Sequence, residues 1–336
     1  MKIINNYDGS SIDIIDNDLE NNRVVLSVKK ENNEYSNYFN FIVENINKKG
    51  KIIIKNIDKV KYKSNIIPLY KITNGTYEKL SDDKINIKDD KYIIEIEKNE
   101  KIEISSYPRY TQDNLDNYIK KINNKNIEIT NDVIYKILIG DKNKKTIVII
   151  GRQHPGETLS SFFIEGIINY ILDNKNKFND TNFLIFPIVN KNGVKNGNHR
   201  YYNNIDYNRI WNKNNVAEEI DYIKEELKNY NIKLFIDVHC DEVTKDNYIR
   251  SKNKLEINEI GNIKVLTDPS KIKRFLRALI KQRKIISLKN ETAREYISKE
   301  YNCNSILVEL SLLNNNEKEC EEKGKKFIKE IIDRKI

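Results

Sequence analysis

Between Thr146 and Ile150 every residue is β-branched, and the run ends at the turn Arg152-Gln153-His154-Pro155-Gly156-Glu157-Thr158, from which an amphipathic helix of about residues 160–172 departs. An apolar run without alternation belongs to a strand buried on both faces, which requires a sheet with helices packed on each side. The pattern recurs, with strands expected over 182–188, 233–238 and 305–310 and helices over 216–229, near 272–282 and from Glu317. Strands alternating with helices imply an α/β domain, and such sheets gather ligands at the carboxyl ends of their strands.

The first hundred residues read differently. Short apolar or alternating runs at 24–28, 38–43, 51–54, 66–70 and 92–96 are separated by Asn, Asp, Gly and Lys clusters, which predicts an antiparallel β-sandwich. A helical segment over 111–122 leads into the second half. The expected division is a sandwich domain at 1–106 and an α/β domain at 107–336, and 336 residues suffice for two cores.

The 59 basic residues against 50 acidic ones give a formal charge of +9, spread along the whole length. Phosphate binding needs a clustered basic face, so nucleic acid is not the expected partner; a diffuse positive balance suits acidic small molecules or peptides. The three cysteines, Cys240, Cys303 and Cys320, are odd in number and lack C-x-x-C spacing, so neither a disulfide framework nor a cysteine zinc knot is expected. No apolar stretch approaches 18 residues and the N-terminus lacks a signal-peptide core, so the expectation is a cytoplasmic protein with no membrane partner.

The sandwich half contains no histidine. Of the three in the chain, His154 and His239 both stand where a hydrophobic run stops. With Glu157 they supply two imidazoles and one carboxylate, leaving a fourth position open for water, which is how catalytic zinc is held. Each piece alone has a plainer reading. Glu157 suits the first turn of the following helix, where the dipole favours a carboxylate, and a strand-terminal histidine is commonly a satisfied core residue.

The order H-P-G-E at 154–157, Asn190-Lys191-Asn192-Gly193-Val194, Gly197-Asn198-His199-Arg200, Asp206-Tyr207-Asn208-Arg209-Ile210-Trp211, D-x-H at 237–239 and Val308-Glu309 resembles the zinc carboxypeptidases, and within them the cytosolic carboxypeptidase branch. The likeness runs from about Tyr107 to Leu312 and includes Pro108-Arg109-Tyr110-Thr111, which that branch carries after its β-sandwich. It implies a mixed central sheet flanked by helices, and one zinc ion per chain held by His154, Glu157 and His239. It further implies Glu309 as general base, Arg200 as the group that polarises the scissile carbonyl, and Asn208 with Arg209 as the clamp on the substrate's free carboxylate. Arg294 stands 15 residues before Glu309, where the family places the residue facing the terminal side chain; a cation there would favour terminal Glu or Asp. The implied activity is hydrolysis of the C-terminal peptide or isopeptide bond of a peptide or protein. Two rivals share the same residues: a zinc amidase or deacylase acting on cell-wall peptides or acyl amino acids, and a non-catalytic binding protein on the same fold. The site-covering tyrosine of the wider family has three candidates, Tyr248, Tyr296 and Tyr301. His199 lies outside the ligand pattern.

Overall fold

A computed structural model describes residues 1–60, 70–73, 75–88, 91–123, 127–251, 255, 257–266 and 290–336. Two units are distinguished, Met1–Asp116 with Lys191–Ile205, and Asn117–Asn190 with Asp206–Ile336.

The first unit carries strands β1 (Lys2–Ile4), β2 (Asp13–Asp18), β3 (Arg23–Ser27), β4 (Lys30–Glu31), β5 (Glu34–Tyr35), β6 (Asn40–Ile46), β7 (Gly50–Lys55), β8 (Tyr70–Thr73), β9 (Thr76–Lys79), β10 (Ile85–Lys88), β11 (Lys91–Ile96) and β12 (Asn99–Ser105). They form two five-stranded sheets, β1-β6-β12-β8-β9 and β10-β11-β7-β3-β2, with β4 and β5 as a separate hairpin. Residues two apart point to one face of a strand, so Val24 and Leu26, Phe41 and Val43, and Ile52 and Ile54 all enter one fully buried core. The expected run at 66–70 lies outside the described residues except for Tyr70. The sheets are antiparallel except where β3 meets β7 in parallel, because the intervening chain crosses to the other sheet through β6 before returning.

A buried carboxylate is satisfied inside this unit. Glu103 accepts from Asn40 Nδ2 and Tyr77 OH, each at 2.7 Å, and pairs with Arg109 Nε at 2.9 Å. Unpaired, such a group would be expensive to bury.

Helix α1 (Gln112–Ile122) passes from the first unit to the second, which contains β13 (Glu128–Asn131), β14 (Tyr135–Ile139), β15 (Lys145–Gly151), α2 (Leu159–Asp173) and β16 (Thr181–Phe186). After the short α3 (Lys191–Lys195), grouped with the first unit, come α4 (Glu218–Leu227), β17 (Asn231–Asp241), β18 (Tyr248–Ser251), β19 (Glu259–Ile260), β20 (Ile263–Val265), α5 (Ala293–Glu300), β21 (Asn304–Ser311) and α6 (Glu317–Asp333). One nine-stranded mixed sheet results, in the order β13-β14-β16-β15-β17-β21-β18-β20-β19. Its centre, β16-β15-β17-β21, is parallel, and Val148, Ile149, Ile150, Phe235, Ile236, Val238, Ile306 and Val308 there are fully buried. The helix expected near 272–282 lies outside the described residues.

The register sets the functional end of the sheet. His239 on β17 is opposite Glu309 on β21, and Glu309 is opposite Tyr248 on β18. Gly151, the last residue of β15, is opposite Val238.

Helices α2 and α6 cross at two glycines. A Cβ on Gly166 would lie 2.0 Å from the Glu321 carbonyl oxygen, and one on Gly324 would lie 2.0 Å from that of Phe163. Both obstacles are backbone, so the helices must separate to admit a methyl group. Gly166→Ala should therefore destabilise the protein by about 1–3 kcal/mol despite its better helix propensity. Urea unfolding measures this, and a change below about 0.5 kcal/mol would show that the crossing is not tight.

Candidate metal centre

The turn after β15 is shaped by Arg152, whose φ of 55° is left-handed and whose side chain is buried. Its guanidinium donates to the Pro155 carbonyl through Nε at 2.9 Å and through Nη2, and to Ser161 Oγ through Nη1 at 3.0 Å. Val189 and Asn190 donate backbone N–H groups to the Gly151 and Arg152 carbonyls, each at 3.0 Å. Held this way, Glu157 stands two residues before α2 rather than inside its first turn, and its carboxylate faces the two imidazoles.

Glu157 Oε1 lies 2.6 Å from His154 Nδ1, and Oε2 lies 2.8 Å from His239 Nδ1. The ring centroids are 4.8 Å apart, and all three residues are buried. One donor atom from each residue falls within 4.8 Å of the others, the spacing of a group that can hold a metal ion.

The outward nitrogens are tied elsewhere. His154 Nε2 meets Asp206 Oδ1 at 3.1 Å, and His239 Nε2 meets Asp237 Oδ1 at 3.0 Å. An imidazole whose Nε2–H donates to a carboxylate presents Nδ1 as a lone pair, the state needed for ligation. Both rings thus aim ligating nitrogens inward.

Electrostatics favour a cation at this point. Burial alone would raise the Glu157 carboxyl, yet the adjacent imidazoles hold it well below the usual carboxylate range. Burial opposes a charge on His239, but Asp237 and Glu157 push that ring well above its ordinary value. Cys240 follows His239 directly, and its thiol is pushed well up by burial and then by Glu157. Two imidazoles and one carboxylate are the donor set of zinc with an open position, and the residues present fit that ion.

Glu309 is half-buried beside this cluster. Burial pushes its carboxyl up to about 8, a shift reinforced by Glu157 and Asp241 and opposed by His239 and Arg250. A carboxyl with such a value is suited to exchange protons near neutrality.

Asn208 is buried, with Nδ2 3.1 Å from His239 Nε2 and Oδ1 accepting from the Ala293 backbone N–H at 2.9 Å. Arg209 is half-buried and donates from Nη1 to the Asn208 carbonyl. Arg294 lies in the first turn of α5, donating to the Arg250 carbonyl at 3.1 Å; burial lowers its pKa, and Asp237 and Glu309 act to raise it. Arg200 belongs to the first unit, and the three candidate metal donors to the second. Of the tyrosine candidates, Tyr248 is buried on β18 with its hydroxyl donating to Asp241 Oδ2 at 2.8 Å, Tyr296 packs against Trp211, and Tyr301 caps α5.

Residues not singled out from the sequence complete the site. Gln153 accepts from Trp211 Nε1 at 2.7 Å and donates to Asp237 Oδ1 at 2.8 Å, while Asn190 Nδ2 donates to the Gln153 carbonyl at 3.2 Å. Asp206 binds both His154 and the Asn208 backbone N–H. Their signal was proximity to the motifs: Gln153 precedes His154, and Asp206 opens the segment containing Asn208 and Arg209.

Residues 92–244 match the family described as zinc carboxypeptidase. The match takes in somewhat less than half of the chain. The matched zinc carboxypeptidase segment includes His154, Glu157, Arg200, Asn208, Arg209 and His239; Arg294 and Glu309 lie beyond it. The chain is 32% identical over 117 residues to cytosolic carboxypeptidase 3 of Bos taurus, covering 28% of this chain and 12% of that protein. It is 41% identical over 73 residues to cytosolic carboxypeptidase 6 of Mus musculus, covering 20% and 14%. The matches therefore span only a small part of these relatives' length. Among solved structures, a metallo-carboxypeptidase from Burkholderia cenocepacia superposes with a TM-score of 0.78 over 98% of both chains at 15% identity. One from Pseudomonas aeruginosa gives 0.74 over 99% of this chain and 98% of that one at 16% identity. At these identities the likeness establishes the fold.

The carboxylates behind the histidines set ring orientation and basicity. Asp206→Ala should weaken zinc binding about 10- to 100-fold, as loss of such partners commonly does. Competition with a chromophoric chelator measures this, and unchanged affinity would show that Asp206 does not support His154.

Proposed function

We propose that the protein is a zinc-dependent metallocarboxypeptidase that hydrolyses the C-terminal peptide or isopeptide bond of peptides or proteins, with preference for terminal Glu or Asp. The observation that carries this reading is the row across β17 and β21, where His239, one of three convergent donors, stands opposite Glu309.

His154, Glu157 and His239 would hold the zinc. Bound there, it would supply Lewis acidity to acidify water and polarise the scissile carbonyl. Glu309 takes the proton from the attacking water and passes it to the leaving amine, a task suited to a carboxyl raised toward neutrality. Arg200, assigned through the motif order, stabilises the developing oxyanion. Asn208 and Arg209 bind the free terminal carboxylate; a guanidinium presents a planar fork that a carboxylate matches. Arg294 is the cation offered to an acidic terminal side chain. Its half-buried setting beside Asp237 and Glu309 supports a site where a guanidinium is held within the protein rather than solvated. The match to the zinc carboxypeptidase family over residues 92–244 and the names of the cytosolic relatives support a cytoplasmic setting with peptide or protein C-termini as substrates. No described helix is long and apolar enough to cross a membrane.

Release of terminal amino acid should be abolished by chelation and restored by zinc. Glu309→Gln should retain zinc and lose about 10²- to 10⁴-fold in kcat; near-normal turnover with zinc bound would discard the mechanism. A C-terminally amidated peptide should resist cleavage, and equal cleavage of amide and acid would favour an amidase or deacylase. Among matched peptides, terminal Glu should leave faster than Lys or Phe, with the preference lost in Arg294→Ala. Preferred release of Phe by the wild type would refute the acidic pocket.

A further inference from the structure

Glu31 ends β4 in a hairpin whose connecting residues, Asn32 and Asn33, have φ of 47° and 63°. Two successive left-handed residues are what a type I′ turn requires, so the hairpin is short and rigid. Its carboxylate accepts from three consecutive backbone N–H groups: His199, Arg200 at 2.9 Å and Tyr201 at 3.1 Å. The Asn198 amide lies 3.4 Å from the same group. Consecutive N–H groups converging on one point form a nest for an anion, and here the chain fills it with its own carboxylate, 169 positions before Arg200.

Two further contacts dock this segment within the first unit. Gly9 donates its N–H to the Lys195 carbonyl at 2.8 Å. Gly197, at φ 66°, passes so close to Ser10 that a Cβ would lie 2.1 Å from its carbonyl oxygen. Beyond Arg200 the chain turns back through Asn203 and Asn204, both left-handed, with Tyr202 bridged to Ile205. Only five residues of this segment are helical, and the Arg200 loop borrows its rigidity from the sandwich.

We propose that Glu31 is a positioning residue for Arg200: the β4–β5 hairpin of the sandwich fixes the loop backbone from which that guanidinium projects. This rests on the oxyanion role assigned to Arg200 above. An arginine lowers a barrier only when already placed where charge develops, since reorganising it during reaction would consume the benefit. The hydrogen bonds of Glu31 go to the backbone of the Arg200 loop, so its loss should fall on turnover and not on substrate binding.

The test is a double-mutant cycle with the full-length zinc-loaded protein. Glu31→Ala should lower kcat about 10- to 100-fold, the scale of a small misplacement of a catalytic group, with KM and zinc content within about twofold of wild type. Glu31→Gln, which keeps one accepting oxygen, should fall between the two. In an Arg200→Ala background, Glu31→Ala should cause no further loss. Hydrogen exchange supplies a readout independent of turnover: the amides of residues 199–201 should lose protection in Glu31→Gln while strands β15 and β17 stay protected. Unchanged kcat in Glu31→Ala, an equal loss with and without Arg200, or unchanged protection at 199–201 would each overturn the proposal. Failure of the carboxypeptidase reading would appear separately, as an inactive wild-type chain.

Discussion

A single carboxylate between two buried imidazoles organises the second unit of this molecule. Glu157 touches His154 with one oxygen and His239 with the other, in a place where water screens poorly. Removing one partner from such a cluster would leave a buried charge uncompensated, at a cost of about 3–5 kcal/mol. Around it the chain supplies fixed acceptors, Asp206 behind one ring and Asp237 behind the other, and Gln153 links Asp237 to Trp211. The group is built for positive charge, and a divalent cation answers that demand better than a proton, because it satisfies all three donors together.

The sheet makes this convergence possible. Parallel strands β15, β17 and β21 end side by side, so residues far apart in sequence share one rim, and register alone sets His239 opposite Glu309. Chemistry at strand ends and stability in strand interiors are thereby separated. Ile149, Phe235, Ile236 and Ile306 supply the core, while the polar residues begin where the apolar runs stop. The tight glycine crossing of α2 and α6 closes one helical layer of this unit.

Much of this was readable in the sequence because it depends on local pattern. The uninterrupted run at 146–150 announced a doubly covered strand, and the runs at 51–54 and 92–96 became strands whose burial alternates. His154, Glu157 and His239 stood out as rare or charged residues at the ends of such runs. What escaped depends on long-range pairing. Nothing local in β3 or β7 says that they run parallel; that follows from where the chain travels between them. Gln153 and Asp206 look like ordinary loop residues until Trp211 and the histidines are placed beside them. Glu31 is one of many acids in a polar stretch, and its three N–H partners lie about 170 residues away. Glu157 stands two residues before α2, in a turn whose Pro155 carbonyl accepts from the buried Arg152 guanidinium, a contact that local pattern does not announce.

The most direct test is X-ray absorption at the zinc edge, combined with metal analysis of the purified protein. One zinc per chain is expected, bound only by nitrogen and oxygen at about 2.0–2.2 Å, with one nitrogen scatterer lost in His239→Ala. A metal-free protein, or a sulfur scatterer near 2.3 Å that implicates Cys240, would contradict a centre built from His154, Glu157 and His239.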